Sequence, residues 1–256
     1  MNALLVASRS ADPAQGGWSP IGRLEFDHAV YRFVYTQGAR TAVGFTPFSG
    51  MTDLEEIYES DELFPVFANR LLPKSRPEYE AFLRWSGFDS ASPPPDPIAV
   101  LGVTEGIRRT DMIEVFPCPA PDGQGSYSSK FFLHGLRYMP EVARARALAL
   151  QPEELLFPMP DPCNRADPNA VALRTEDRDR LMLGYVPRYL AHDVWKLVQQ
   201  CQPDFIQVLV HRVNRDAPLQ QRLLCRMHAC WPEGFQPCSG EEFQPIPQGV
   251  PAHCNG

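Results

Sequence analysis

Apolar positions in this 256-residue chain come mostly as short alternating runs, and helical spacing is confined to a few segments. Residues 20–48 hold IGRLEF, AVYRFVYT and AVGFTPF, which are aromatic and β-branched and are separated by turns such as QGAR. They predict a small antiparallel sheet. In SDELFPVFANRLLP (60–73), Leu63, Phe64, Phe67, Leu71 and Leu72 recur near helical spacing, with Pro65 placing the helix start. RPEYEAFLRWSGF (76–88) reads as a second helix, with Pro77 near its start and Gly87 near its end. SASPPPDP (90–97) reads as a linker or wide loop, and IAVLGVTEG and DMIEVFPCP (98–119) read as two further strands.

PDGQGSYSSK (121–130) has the composition of an interdomain linker. Beyond it, FFLHGLRYMP (131–140) predicts a strand running into a turn. RALALQP, ELLFPMP, VALRT (171–175) and LMLGYVP (181–187) predict short strands. YLAHDVWKLVQQC (189–201) predicts a helix with Leu190, Val194, Leu197 and Val198 as its apolar face and Trp195 in the core. FIQVLVHRVN and PLQQRLLCRMHACW close the set as strands. There is no sustained strand–helix–strand alternation, which argues against a doubly wound parallel sheet. The expected fold class is mainly β with a few helices (α+β). It comprises an N-terminal small antiparallel sheet with helices, residues 1–120, a linker at 121–130, a C-terminal β-barrel with one helix, 131–231, and a Pro-rich acidic tail, 232–256.

Composition changes this picture at three points. The 27 prolines favour strands and turns over long helices. The net charge of −7 is unevenly spread: residues 130–231 carry 14 Lys and Arg against 11 Asp and Glu, whereas both flanks are acidic. That step coincides with the expected domain boundary and excludes general nucleic-acid coating, leaving only a local basic region. The seven cysteines include no CxxC pair, and MNALLVASRSADP lacks a basic leader, so no export signal, reduced thiols and a cytoplasmic location are expected. A zinc site drawn from Cys225, His228, Cys230, Cys238, His253 and Cys254 has irregular spacing. Alternation also sends Cys225 and Cys230 to opposite faces, so no metal and no cofactor are expected. No Walker loop, GxGxxG, GxSxG or HExxH is present, and adjacent pairs such as Glu153/Glu154 fall on different faces. Nothing assembles a nucleophile and a base, and a non-enzyme is expected.

One stretch carries more turn chemistry than a connection needs. In DPCNRADPNAVAL (161–173), Pro162 and Pro168 restrict φ, and Asp161, Asn164, Asp167 and Asn169 are residues that hydrogen-bond their own backbone. A rigid surface turn is one reading, and a carboxylate held for a purpose is the other.

HGLRYMP, DPCNRADPNAVAL and LGYVPRYLAHDVWKLV, in that order, resemble the HIRAN domain over about 131–231. This is a small β-barrel module of eukaryotic DNA-remodelling translocases and of freestanding bacterial proteins. The resemblance implies an OB-like barrel that captures single-stranded DNA, especially a free 3′ end. It implies Arg137 for phosphate and Tyr138 for base stacking. Asp167 would accept a hydrogen bond from a terminal 3′-hydroxyl while repelling phosphate. Tyr185 would stack or donate, and Arg188 would pair a phosphate near a helix N-terminus. Where members of the family carry an aromatic before the Asp, this chain has Ala166, and the neighbouring Arg165 is the candidate to lie over a base instead. Lys130 and His134 are candidates to extend the groove. Each residue also has a structural alternative: Tyr138 and Tyr185 as core-edge aromatics, Asp167 as a turn cap, Arg137 and Arg188 as surface ion pairs.

GRLEF, YRFVY and LFPVFANRLLP resemble the N-terminal subdomain of HipA-type toxin kinases, carried here by Phe67, Asn69, Arg70, Leu71, Leu72 and Pro73 with one extra residue before the leucines. No kinase core accompanies it, so the resemblance implies protein contacts and no phosphotransfer. Phe64 and Phe67 are expected in its core. The leading expectation is a non-catalytic binder of single-stranded DNA or DNA 3′ ends. The alternative is a protein-interaction regulator acting through the HipA-like module, with DNA binding weak or lost.

Overall fold

The computed structural model describes residues 3–9, 17–27, 29–88, 94–108 and 110–251. Part of the Pro-rich stretch 90–97, part of the leader region, and His253 and Cys254 of the drawn zinc set lie outside them. The elements in chain order are β1 (Ala3–Arg9), β2 (Trp18–Phe26), β3 (Tyr31–Tyr35), α1 (Gly38–Thr41), β4 (Tyr58–Ser60), α2 (Pro65–Ala68), α3 (Tyr79–Trp85), α4 (Pro97–Thr104) and β5 (Ile113–Pro117). They continue with β6 (Ser126–Phe132), α5 (Glu141–Ala149), β7 (Leu155–Pro160), β8 (Val171–Thr175), β9 (Met182–Tyr185), α6 (Arg188–Gln200), β10 (Gln207–Val213) and β11 (Leu223–Cys230). The class is mainly β with short helices. Two compact units divide the chain: 1–79, 93–120 and 236–256 form one, and 80–92 with 121–235 form the other.

The first unit is an antiparallel sheet in the order β4-β3-β2-β1-β5. Phe33, Tyr35, Phe48 and Phe67 pack with Leu4, Val6, Ile21 and Leu24 in its core, and Phe64 packs against them. The Tyr35 phenol is buried without penalty because it donates to the Met51 carbonyl at 2.7 Å and accepts from the Phe48 N–H at 2.8 Å. Arg70, from FANRLLP, is buried. Its guanidinium donates to the Gly106 carbonyl at 2.9 Å and to Asp111 at 2.9 Å. Segment 236–251 belongs with this sheet: the Ile246 N–H reaches the Tyr35 carbonyl at 2.9 Å, and Arg23 donates to the Pro251 carbonyl at 2.8 Å.

The second unit is a six-stranded antiparallel sheet in the order β6-β11-β10-β7-β8-β9. Its two edges meet. Past β6, His134 and Tyr185 exchange two backbone hydrogen bonds, each 2.9 Å, so the sheet curls and joins its first strand to its last. Closure removes the open edge that a flat sheet would expose. The inner face is apolar, with Leu156, Val171, Leu173 and Phe131 at 1% exposure or less. On α6, Leu190, Val194 and Leu197 are buried as the spacing predicts, while Val198 and Trp195 are half-buried. Most of α3 belongs to this unit: Arg84 pairs with Asp216 at 2.9 Å, and Asn214 donates to the Trp85 carbonyl at 2.9 Å.

Several elements differ from expectation. The run read as a strand from Ile98 forms the helix α4, Pro97–Thr104. Pro97 occupies its first turn, Asp96 accepts from the Ile98 N–H at 2.9 Å, and Glu105 in left-handed backbone stops it. An apolar run of eight is ambiguous by periodicity, and the cap decides it. RALALQP lies largely in α5, which adds a second helix on the barrel side. Arg146 on it reaches Glu154 and Asp177 at 2.6 and 2.8 Å. AVGFTPF makes turns rather than a strand, and the helix within 60–73 is the single turn α2. The apolar patch at the N-terminus is an interior strand, β1.

The expectation of free thiols is corrected. Cys201, at the end of α6, and Cys230, at the end of β11, form a disulfide, with Cα atoms 6.3 Å apart, and Cys118 is also disulfide-bonded. Two element ends separated by 29 residues in sequence are thereby tied. Replacing both Cys201 and Cys230 by serine lowers stability in a denaturant melt by about 3.6 kcal/mol, the chain-entropy value for a loop of this length. An unchanged midpoint relative to oxidised wild type rejects the cross-link. Cys225 is buried and its thiol is pushed up to about 12 by desolvation, which makes it an inert core residue.

Candidate functional site

The junction where the barrel closes gathers most of the residues that the sequence singles out. Past the end of β6 the chain runs through His134, turns at Gly135, and enters a short 3-10 turn, Leu136–Tyr138. Gly135 takes φ +77°, and a Cβ there would lie 3.3 Å from the Tyr185 ring, so the turn rests directly on β9. Leu136 is buried and anchors the turn, and this pushes Arg137 and Tyr138 outward. Tyr138 is 71% exposed, far from a core-edge aromatic. The Arg137 guanidinium lies over its ring at 4.5 Å and hydrogen-bonds its phenol oxygen. An exposed ring backed by a cation costs hydrophobic burial, which a surface turn has no reason to give up.

Tyr185 is half-buried. Its phenol donates to Asp161 Oδ2 at 3.0 Å. Burial, then the Asp161 hydrogen bond and charge, raise its pKa above the ordinary value, so the phenol stays protonated and bound to the carboxylate. Asp161 starts the turn of 161–170. Its backbone N–H donates to the Ala170 carbonyl at 2.8 Å, and Asn164 Nδ2 lies 3.5 Å from its Oδ2. Asn164 Oδ1 accepts from the N–H groups of Ala166 and Asp167 at 2.9 and 3.2 Å. The doubled turn residues thus have a use: the loop is pinned from inside by its own side chains.

Asp167 combines two roles. Its Oδ1 accepts from the Asn169 N–H at 2.9 Å, a turn cap, and its Oδ2 faces Arg188 Nε at 3.8 Å. Arg188 is the first residue of α6 and 41% exposed, while the Asp167 side chain is 15% exposed. Arg165 is exposed and makes no ion pair among the described residues. One connected surface therefore runs Arg137–Tyr138, Tyr185, Asp161, Asn164, Asp167, Arg188, with Arg165 beside it on the same turn. His134 takes part through its backbone. Lys130 does not: it stands opposite Arg226 on β11, and its charge acts on His211 of β10, away from the turn.

Asp161 is the site residue that sequence reasoning missed as an individual. It opens the same stretch as Asp167, but only the barrel register places it under Tyr185. The surface carries two carboxylates, three arginines and two tyrosines, with bare aromatic area at Tyr138. Such a set can stack a flat ring, pair an anion, and accept a hydrogen bond from a hydroxyl.

Residues 126–228 match the family model of the HIRAN domain. Two solved structures are similar to part of the chain. The HIRAN domain of human HLTF shares 20% identity over 41% of this chain and 79% of that one, with a TM-score of 0.31. A protein from Lactobacillus plantarum shares 20% identity over 41% of this chain and 96% of that one, with a TM-score of 0.32. No curated protein sequence matches the chain.

Proposed function

We propose, from the premise that residues 126–228 of this chain form a HIRAN domain, that the chain is a non-catalytic binder of single-stranded DNA that captures a free 3′ end at the closure of the barrel. The observation that carries this reading is the exposed Tyr138 ring with Arg137 laid on it, beside two carboxylates on a turn that its own side chains hold rigid. Tyr138 supplies a stacking plane, and Arg137, Arg165 and Arg188 supply charge for phosphate. The carboxylates supply selectivity. A 3′-hydroxyl donates to a carboxylate, whereas a 3′-phosphate at the same spot meets like charge. Arg188, 3.8 Å from Asp167, offsets that repulsion for a backbone phosphate one unit away.

The local balance of +3 over 130–231 implies moderate and salt-sensitive affinity. With Tyr185 committed to Asp161, its ring rather than its hydroxyl faces a ligand, and Asp167 Oδ2, which has no such donor among the described residues and faces Arg188 at 3.8 Å, is the acceptor for the hydroxyl.

The test compares short labelled strands ending in a 3′-hydroxyl or a 3′-phosphate. Wild type prefers the hydroxyl by roughly tenfold or more, the worth of a hydrogen bond to a charged group. Asp167→Ala erases the preference while retaining binding. Arg188→Ala weakens both strands alike and reduces the salt slope by about one. Absence of binding at low salt rejects the reading.

A second role for the first unit, in protein contacts of the HipA-like kind, is favoured by Val43, Ile57, Ile107 and Met112, all of which it leaves 39–53% exposed.

A further inference from the structure

The wall beside the candidate site continues its chemistry. Tyr185 stands opposite Ala172 on β8, and Ala172 stands opposite Met159 on β7. Directly opposed residues of antiparallel strands share a face, so Met159 and Tyr185 look outward together. Two residues along β8, on the same face, is Arg174, flanked by Phe157 of β7 and Met182 of β9. The irregular register lies on the β9 side, and the pairing of β7 with β8 is unbroken, so this alternation holds. The Arg174 guanidinium lies over the Phe157 ring at 4.8 Å, and one of its N–H groups donates to the Thr175 carbonyl at 3.0 Å. Phe157, Arg174 and Met182 are half-buried, and Met159 is 40% exposed.

A guanidinium placed over an aromatic ring brings a planar group and a cation to one spot, the two things that a base and its phosphate require. Among the described residues, the other arginine–aromatic stack is Arg137 over Tyr138, on the β6 side of Tyr185. Tyr138, Tyr185 and Arg174 thus form a row around the barrel wall. Glu154, just before β7, and Asp177, just past β8, are taken by Arg146.

We infer that the outer face of β7, β8 and β9 is a second nucleotide subsite, where the Arg174–Phe157 stack holds a base upstream of the strand's 3′ end. This rests on the single-strand reading above and adds direction to it. Asp161 and Asp167 repel phosphate at the turn, so the terminal hydroxyl sits there and the phosphodiester chain leads away toward Arg174. Two strand residues, about 7 Å, separate Ala172 from Arg174, so with Tyr138 and Tyr185 ahead of it in the row the Arg174 stack takes the third base from the 3′ end, beyond the reach of a dinucleotide.

The experiment is fluorescence anisotropy with a dinucleotide and a hexanucleotide, both ending in a 3′-hydroxyl. Wild type binds the hexanucleotide more tightly, and Arg174→Ala weakens it by about tenfold while leaving the dinucleotide unchanged. Arg174→Lys, which keeps the charge and loses the plane, recovers less than half of that loss on a logarithmic scale. Phe157→Leu, checked for folding by its thermal melt, follows Arg174→Ala. An Arg174→Ala protein that binds the hexanucleotide like wild type overturns the subsite. So does full rescue by lysine, which makes Arg174 a plain phosphate contact, and so does equal weakening of both lengths. If the 3′-hydroxyl preference survives any of these, the subsite alone falls. If wild type binds neither strand, both readings fall.

Discussion

Gly184→Ala unfolds the barrel's closure and costs about 4 kcal/mol, the sum of backbone strain and overpacking at one point. Gly184 takes φ +154°, and a Cβ there would lie 2.3 Å from the His134 carbonyl oxygen, well inside contact distance. That oxygen accepts the Tyr185 N–H, and the atom facing it is backbone, so no side-chain rotation relieves the clash. The strand must shift, and with it goes the bridge that joins β6 to β9. The measurement is urea denaturation of the full chain, with Gly123→Ala as control, because a Cβ at Gly123 meets nothing within 4 Å. A Gly184→Ala protein with wild-type stability shows that the sheet does not close at this point. Because Tyr138 and Tyr185 are mounted on either side of the bridge, the same substitution removes strand binding.

Asp193→Asn stabilises the protein at pH 8 and removes most of the fall in stability between about pH 4 and pH 7. Asp193 lies on the buried face of α6 at 2% exposure, and its Oδ2 has no hydrogen-bond partner. Desolvation pushes its carboxyl up to about 7, against a smaller pull from Lys196. A folded-state pKa raised above the unfolded value means that the native protein binds the proton more tightly. The contribution of this carboxyl is therefore fully present below about pH 4, declines as the pH rises toward 7, and levels off above it. The span from 3.8 to about 7 corresponds to on the order of 4 kcal/mol. Asn keeps the shape and carries no charge to desolvate. Melts of wild type and Asp193→Asn across that pH range decide the matter: a stability difference between the two that stays constant with pH shows the carboxylate to be solvated.

Much of the second unit was legible in order and type. ELLFPMP, VALRT, LMLGYVP and the two final runs alternate because one face of each meets an apolar interior, and the period of two survives any tertiary detail. The amphipathic face of α6 was legible for the same reason. Local signals were harder to weigh when they competed. IAVLGVTEG is apolar all round and suits a buried strand or a buried helix, and the deciding marks, Asp96 and Pro97, stand outside the run. In RALALQP the helix is held by Arg146 spanning to Glu154 and Asp177, of which Asp177 is 31 residues away and leaves no periodic trace. The placement of 236–251 on the first sheet depends on backbone bonds to Tyr35 and Gln37, which no composition announces.

At the candidate site, the chain itself determined the kinds of chemistry: arginine and tyrosine after a Gly-Leu, and carboxylates on an over-specified turn. It also determined that the turn would be rigid, because Asn164 and Asp167 bond within their own loop. Only the tertiary structure decided that Tyr185 takes Asp161, that Arg188 faces Asp167, that Lys130 lies elsewhere, and that Arg174 continues the row. Local hydrogen bonds and periodicity act over a few residues and are written in sequence. Which strands meet at the closure of a barrel depends on register and curl summed over six strands, and that sum exists only in the folded chain.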